Sequence, residues 1–209
     1  MTGLFITFEG GEGGGKSTQI KLLADHLTSL GRKVVLTREP GGTAMAESIR
    51  GLLVNGEPGS LSSIAEALLN SAARDSHLLE VIRPALARGD VVLCDRFMDS
   101  TRVYQGIAGE CPMALVDELQ TQVVGETIPD LTFVFDLDPA VGLQRAKRRG
   151  EGGEDRYERK GMAFHERVRD GFLVVARDEP TRCVVIDAAL PIEDVQQRIL
   201  SAMESSICK

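Results

Sequence analysis

Gly10-Gly11-Glu12-Gly13-Gly14-Gly15-Lys16-Ser17 decides the fold of this chain, because it matches the pattern of glycine, four residues, glycine, lysine and serine or threonine. The apolar run Leu4–Phe8 precedes it, and apolar residues recur at helical spacing from Ser17 to Leu30. A strand, a glycine-rich loop and a helix in this order predict a phosphate-binding loop, in which backbone N–H groups and the positive end of the helix face an anion. We expect a nucleoside triphosphate there, with Lys16 on its β and γ phosphates and the Ser17 hydroxyl on the magnesium ion.

The alternative reading of this stretch is an ordinary glycine-rich surface turn. The length of the pattern and the strand and helix on either side argue against it. The phosphate loop is nevertheless shared by switch GTPases, ATP-driven motors and small-molecule kinases, so it leaves the reaction open.

The composition indicates a globular protein and excludes several partners. The chain has 209 residues, 43% of them hydrophobic and 26% charged, and we expect a single domain over residues 1–209. Its formal net charge of −7 argues against a general nucleic-acid or anionic-membrane binder. The N-terminal residues lack the pattern of a signal peptide, and no apolar run reaches the roughly 18 to 20 residues that span a bilayer. These features predict a cytoplasmic protein.

The four cysteines carry no sign of a metal site. Cys94, Cys111, Cys183 and Cys208 are far apart, without the paired spacing of a zinc site, and two of them fall in apolar strand-like runs. We expect reduced, structural thiols.

Strand-like and helix-like segments alternate along the whole chain. After the first strand and helix, we expect strands at Lys33–Thr37, Val91–Cys94, Leu131–Phe135 and Cys183–Ile186, and helices at Ala44–Val54, Leu61–Arg83, Pro112–Val124, Pro139–Arg149, Met162–Ala176 and Ile192–Met203. The residues expected to face inward from the second and third helices are Met45, Ile49, Leu52, Leu53, Ile64, Leu68, Leu79 and Ile82. Alternation with near-continuous apolar strands predicts an α/β fold, a five-stranded parallel sheet with helices on both faces, whose ligands bind at the carboxyl ends of the strands.

The remaining motifs separate the possible reactions. The Asn-Lys-x-Asp and Asp-x-x-Gly motifs typical of switch GTPases occur nowhere in the chain. The chain carries instead Thr37-Arg38-Glu39-Pro40-Gly41-Gly42-Thr43, Ala72-Ala73-Arg74, Asp95-Arg96-Phe97, Ser100-Thr101, Tyr104-Gln105-Gly106 and Pro129-Asp130-Leu131-Thr132. With the phosphate loop, these segments closely resemble bacterial thymidylate kinases, in the right order, from about Phe5 to Pro191. The resemblance implies a P-loop nucleoside-monophosphate-kinase fold with a lid at about 147–160, transfer of the γ-phosphoryl of ATP to dTMP in dTTP biosynthesis, a requirement for Mg²⁺, and a homodimer.

The same resemblance implies a role for each matching residue. ATP would be bound by Gly10, Gly11, Glu12, Gly13, Gly14, Gly15, Lys16, Ser17, Thr18 and Arg145. The acceptor dTMP would be bound by Glu12, Glu39, Pro40, Arg74, Asp95, Arg96, Ser100, Tyr104 and Gln105. The metal would be held by Ser17 and Asp95, and the residues expected to act on the transferring phosphoryl are Lys16, Arg96, Arg149 and Arg156. Gly13 stands where eukaryotic relatives carry an arginine, so the lid is expected to supply that charge.

Physical chemistry agrees with these roles but leaves plainer readings open. An arginine fork grips phosphate oxygens bidentately, which suits Arg96, although Asp95 and Arg96 also have the composition of a surface ion pair. Arg74 and Arg145 are also compatible with solvated helix charges. Asn70 occupies a position where the family often has a phenylalanine that stacks on thymine, which leaves the strictness of base selection open. Another nucleoside-monophosphate or deoxynucleoside kinase, and a nucleotide-regulated binding protein, are the alternatives.

Overall fold

The computed structural model describes residues 3–55, 57, 59–149 and 156–207, and of residues 149, 206 and 207 it describes the backbone. The expected lid arginine Arg149 therefore ends the described part of a helix, residues 150–155 lie outside the described residues, and so does Cys208.

Within the described residues, five strands form one parallel sheet. They are β1 (Leu4–Gly10), β2 (Val34–Arg38), β3 (Val91–Asp95), β4 (Leu131–Asp136) and β5 (Cys183–Asp187). Their order in the sheet is β2-β3-β1-β4-β5. The central strand β1 pairs with β3 on one side, where Phe8 lies opposite Asp95, and with β4 on the other. Every strand enters the sheet in the same direction, so the phosphate loop and the residues after β2 and β3 meet at one edge.

Nine α-helices connect and cover the described strands. They are α1 (Lys16–Ser29), α2 (Ala44–Val54), α3 (Ser63–His77), α4 (Arg83–Ala87), α5 (Met98–Thr101), α6 (Met113–Val123), α7 (Pro139–Arg149), α8 (Met162–Asp178) and α9 (Ile192–Ile207). The buried side chains of α1 and α9 form one core with Phe8 and Phe133. On the opposite face, α8 packs around Val134, and a third core surrounds Phe5. The predicted parallel sheet with helices on both faces is confirmed.

The long helix expected at Leu61–Arg83 is more complex in the structure. A π-helical turn over Leu78–Ile82 links α3 to α4, and Pro84 lies in the first turn of α4. Since proline has no N–H and crowds the preceding turn, a wider turn before Pro84 accommodates the proline within a continuous helical segment. A second π-helical turn, Arg102–Ile107, follows α5.

The inward face expected for the helical segments Ala44–Val54 and Leu61–Arg83 is only partly right. Ile49, Leu53 and Ile82 are buried as expected. The apolar side chains that are instead exposed are Met45, Leu52, Ile64, Leu68 and Leu79. The apolar stripe of these helices is wider than the core needs, so periodicity could not distinguish a residue facing the sheet from one facing away.

Two further expectations concern the cysteines and membrane-spanning helices. Cys94, Cys111 and Cys183 are buried free thiols, as expected for structural cysteines. Among the described residues, no helix combines the length and the apolar character that crossing a membrane requires.

Candidate active site

The phosphate loop is shaped by glycines in left-handed conformations. Gly10, Gly13 and Gly15 have φ values of 128°, 68° and 86°, and a Cβ on Gly13 would lie 2.1 Å from the carbonyl oxygen of Gly142. Only glycine adopts such angles without strain, and only glycine permits this approach of the loop to α7. Lys16 folds back over the loop and donates from Nζ to the carbonyl oxygen of Gly10 at 3.1 Å. The result is an anion cradle at the N-terminus of α1.

A magnesium ion is compatible with the residues beside this cradle. The Ser17 hydroxyl donates to Oδ2 of Asp95 at 3.2 Å. The other carboxylate oxygen, Oδ1, is buried and has no hydrogen-bond partner among the described residues. Hard oxygen donors of this kind, few in number and next to bound phosphates, suit Mg²⁺. Within the described part of the chain, no cluster of three or more His, Cys, Asp or Glu residues forms a separate metal cage.

Arg96 connects the phosphate loop to the other side of the cleft. Its backbone is left-handed, with φ of 66°, directly after β3. Its guanidinium donates to the carbonyl oxygen of Gly10 at 2.9 Å, to Glu12 Oε1 at 2.6 Å and to Ser100 Oγ at 3.3 Å. A non-glycine residue in this conformation is uncommon and marks a site where the surrounding structure imposes it. Tyr104 donates to the same Glu12 oxygen at 3.1 Å.

The charges of the loop act strongly on one another. Burial alone would raise the pKa of Glu12, but the positive charges of Arg96 and Lys16 outweigh it and lower that pKa to about 2. Burial and the charge of Arg96 together lower the pKa of Lys16. Glu12 is therefore an anion at every physiological pH.

Glu9 lies beside the cleft and contacts Ser100, one of the residues that line it. Its carboxylate is fully buried and accepts from the backbone N–H groups of Phe97 at 2.8 Å and Ser100 at 3.2 Å, and from the Ser100 hydroxyl at 2.6 Å. Burial, and then the negative charge of Asp99, raise the pKa of Glu9 to about 7.

The acceptor side of the cleft is organised by Glu39. Its bond to Pro40 is cis, which the sequence left open. Arg74 donates from Nε to Glu39 at 2.7 Å, and His77 lies 3.0 Å from the other carboxylate oxygen. Arg74 also donates to the hydroxyl of Thr101 at 3.1 Å. These contacts tie the turn after β2 to α3 and α5.

These residues enclose a cleft of about 210 Å³ at the carboxyl edge of the sheet. Most of the predicted residues line it, namely Glu12, Gly13, Gly14, Gly15, Lys16, Ser17, Glu39, Pro40, Asp95, Arg96, Ser100, Tyr104 and Gln105. Arg74 is buried behind this wall. Thr18 is exposed at the start of α1. Arg145 lies exposed on α7, where it donates to the carbonyl oxygen of Ala188 at 3.1 Å.

The two expected lid arginines are not equivalent in the structure. Of Arg149, the last residue of α7, the backbone is described. Arg156 is fully buried and forms an ion pair with Glu66 at 2.8 Å. In this arrangement its guanidinium faces α3 and not the phosphate loop, so a contact with a phosphoryl group would require this buried pair to separate.

Sequence reasoning missed several residues of this region, among them Tyr157, which lines the cleft. Arg50 lines the cleft and donates to the carbonyl oxygen of Pro40 at 3.0 Å. Glu9 and Glu66 are buried acids beside the predicted site. A usable signal existed for Glu9, since a carboxylate at the end of an apolar strand rarely belongs to a core. No comparable signal marked Arg50, an exposed-looking charge on an amphipathic helix.

Comparisons with known proteins agree with this geometry. A family model described as thymidylate kinase matches residues 8–199. The chain is 57% identical over 197 residues to the thymidylate kinase of Caulobacter vibrioides, covering 94% of each protein. It is 50% identical over 206 residues to that of a Bradyrhizobium species, covering 98% of this chain and 91% of the relative.

A solved structure agrees as well. The crystal structure of thymidylate kinase from Ehrlichia chaffeensis matches with a TM-score of 0.78 and 37% identity, covering 97% of this chain and 99% of that one. The nucleoside-monophosphate-kinase fold expected from the resemblance is therefore confirmed. A family model spanning most of the sequence, close relatives along nearly its whole length and a shared fold lead to one conclusion: the chain belongs to the thymidylate kinase family.

Proposed function

We propose that this chain transfers the γ-phosphoryl group of ATP to dTMP, giving ADP and dTDP for dTTP biosynthesis. The observation that carries the proposal is Arg96, whose guanidinium bridges the phosphate loop at Gly10 and Glu12 and the acceptor side at Ser100. Two polyanions that repel each other must be held in one cleft for this reaction, and a guanidinium between their sites can contact both.

Each cation of the cleft has a distinct task in this proposal. Lys16 binds the β and γ phosphates of ATP, and Arg96 binds the acceptor phosphate. Since Glu12 is anionic and paired with Arg96, it holds that guanidinium in place and lies where the acceptor sugar is expected. The Ser17 hydroxyl and Asp95 would hold Mg²⁺, which when bound neutralises charge on the phosphates. The cleft supplies positioning and electrostatic stabilisation, which is what phosphoryl transfer requires.

We also propose that Arg149 acts on the transferring phosphoryl from the lid. It ends α7, the helix that packs against the phosphate loop through Gly142, and a glycine-rich segment follows it. Removing a contact that forms mainly in the transition state lowers the catalytic rate and leaves the Michaelis constant for dTMP nearly unchanged. Arg149→Ala should therefore reduce kcat by up to about 10³-fold, by analogy with arginine fingers. Lys16→Ala should both weaken nucleotide binding and slow the phosphoryl transfer. An unchanged kcat in Arg149→Ala would refute the proposed role of Arg149 in the lid.

The proposed reaction is tested by release of ADP from ATP in the presence of dTMP, dUMP, dCMP, dGMP or AMP. We expect dTMP to be the best acceptor. Preference for a purine monophosphate would refute the assignment and favour another nucleoside-monophosphate kinase. Turnover that requires a protein partner and ignores every monophosphate would favour a nucleotide-regulated binding protein instead.

A homodimer completes the proposal, together with a single domain over residues 1–209 and a cytoplasmic location. The exposed apolar side chains of α2, α3 and the π-helical turn after α3 support it, since Met45, Leu52, Ile64, Leu68 and Leu79 are each at least 43% exposed. Apolar patches on two neighbouring helices are typical of a self-complementary interface. Sedimentation at micromolar concentration should show a dimer, and a monomer alone would refute it.

A further inference from the structure

The buried ion pair between Arg156 and Glu66 lies outside the phosphate-binding part of the cleft. Arg156 is 0% exposed and Glu66 2% exposed, and Arg156 Nη2 lies 2.8 Å from Glu66 Oε1. Burying two charges is expensive unless their hydrogen-bonding groups find partners. Arg156 also donates from Nε to the carbonyl oxygen of Leu53 at 2.9 Å, and its backbone N–H donates to the carbonyl oxygen of Val54 at 3.0 Å. Its Nη1 is buried and has no hydrogen-bond partner among the described residues.

The second oxygen of the Glu66 carboxylate faces two residues of the cleft wall. Oε2 accepts from Gln105 Nε2 at 2.9 Å and from the Tyr157 hydroxyl at 3.0 Å. An ionised carboxylate can only accept hydrogen bonds, so it dictates the orientation of the Gln105 amide, with Nε2 toward Glu66 and the carbonyl oxygen away from it. Gln105 Nε2 also lies 3.2 Å from the Tyr157 hydroxyl, which closes the triangle.

The same cluster reaches the phosphate loop through aromatic contacts. The Tyr157 ring lies edge-on to Tyr104, with centroids 5.6 Å apart, and Tyr104 donates to Glu12. Tyr104, Gln105 and Tyr157 all line the cleft. Glu66 thus contacts two of the side chains that form the acceptor wall, and Arg156 is the cation that allows Glu66 to be buried there.

We infer that Arg156 and Glu66 are a pair of positioning residues for the acceptor: Arg156 neutralises Glu66, and Glu66 holds Gln105 and Tyr157 in the geometry that binds the nucleoside monophosphate. This inference rests on the proposed function and assigns Arg156 a role other than contact with the transferring phosphoryl. Its effect belongs to acceptor binding, because Gln105 is one of the residues expected to bind dTMP and neither Gln105 nor Tyr157 is part of the phosphate loop.

The test compares Arg156→Met, Glu66→Gln and the double variant in steady-state kinetics with ATP and dTMP. Losing a buried hydrogen bond to a charged group weakens binding by about tenfold to hundredfold, so Arg156→Met should raise the dTMP Michaelis constant by that factor. The ATP Michaelis constant and kcat should stay within about threefold, because the phosphate loop keeps all its contacts. The ATP constant also reports that the variant is folded.

The double variant tests the pair itself. Arg156→Met leaves a buried carboxylate without its cation, whereas adding Glu66→Gln removes that charge and keeps an acceptor oxygen. The double variant should therefore recover part of the dTMP binding that Arg156→Met loses. If Arg156→Met folds poorly, Glu66→Gln tests the inference alone, because it keeps the shape of the side chain. Arg177→Met is the matched control, since its ion pair with Asp178 is exposed, at 73% and 51%, and its kinetics should not change.

Two results would overturn the inference. One is a fall in kcat of about 100-fold or more in Arg156→Met that the double variant does not relieve, because it would indicate a direct contact with the phosphoryl in the transition state. The other is an unchanged dTMP Michaelis constant in both single variants. Failure of the proposed function is a separate result, since it would appear as a wild-type protein that does not phosphorylate dTMP.

Discussion

Replacing Glu9 by glutamine should change how the stability of the protein depends on pH. Glu9 is buried, and its pKa is raised from 4.5 to about 7. The unfolded chain ionises this group near its ordinary pKa, and the folded chain ionises it only near pH 7. Below pH 4.5 Glu9 is protonated in both the folded and the unfolded state, so it causes no loss of stability. Between pH 4.5 and 7 only the unfolded state has released this proton, so folding becomes less favourable as pH rises.

The magnitude follows from the same shift. Each unit of pKa difference corresponds to about 1.36 kcal/mol, so the wild type should lose about 3 kcal/mol relative to Glu9→Gln between pH 4.5 and 7.5. Glutamine suits the site, because its carbonyl oxygen can still accept from the N–H groups of Phe97 and Ser100 and the Ser100 hydroxyl can turn to accept from the amide.

Urea denaturation of the wild type and Glu9→Gln from pH 4.5 to 8 measures the difference in their free energies of unfolding. The contributions of titratable groups that the two proteins share cancel in this difference. Glu179→Gln is the control, since Arg182 and Arg102 lower the pKa of Glu179 in spite of its partial burial, and its contribution is lost only below pH 4.5. Parallel stability curves for wild type and Glu9→Gln across the whole range would refute the reasoning.

Two further predictions concern substitutions at the edges of the cleft. Asn70 lines the cleft and donates to the carbonyl oxygen of Glu66, and Asn70→Phe should lower the dTMP Michaelis constant by about fivefold to hundredfold if the ring stacks on the base. Asn70→Leu should gain less, and equal effects of the two variants in the ADP-release assay would contradict stacking. Gly142→Ala should destabilise the protein and weaken ATP binding, because its Cβ would lie 2.3 Å from the carbonyl oxygen of Glu12. A Cβ added at Gly51 in α2 would meet only a side-chain atom, at 3.9 Å, so Gly51→Ala should stabilise the folded protein by about 0.5 to 1 kcal/mol. The melting temperatures of Gly142→Ala and Gly51→Ala must therefore shift in opposite directions from that of the wild type.

The elements of the fold could be predicted because their signals are local. The phosphate loop requires glycines at left-handed positions. The strands β1, β3 and β4 are almost entirely buried, because helices cover both faces of a parallel sheet. Even so, the π-helical turn over Arg102–Ile107 had no recognisable signal. That turn places Tyr104 and Gln105 in the cleft wall, and the geometry depends on what packs around it.

The candidate site was predictable where a motif carries the chemistry, as at Lys16 and Asp95-Arg96. The partners of those residues were not, since a hydrogen bond between Arg96 and Glu12 joins positions 84 residues apart. The apolar surface of α2 and α3 shows the same limit: Leu52 and Leu53 are adjacent in the sequence and equally hydrophobic, yet one is 62% exposed and the other 0%.

Local sequence was therefore sufficient for the order of strands and helices and for the phosphate loop, because these depend on spacing, backbone freedom and residue type over a few positions. The class of reaction followed only from the resemblance of the further motifs to a known family. The burial of Arg156, its pairing with Glu66 and the raised pKa of Glu9 emerged only from the folded chain. Desolvation and ion pairing depend on which distant segments meet in a low-dielectric interior, and that arrangement is a property of the packed chain as a whole.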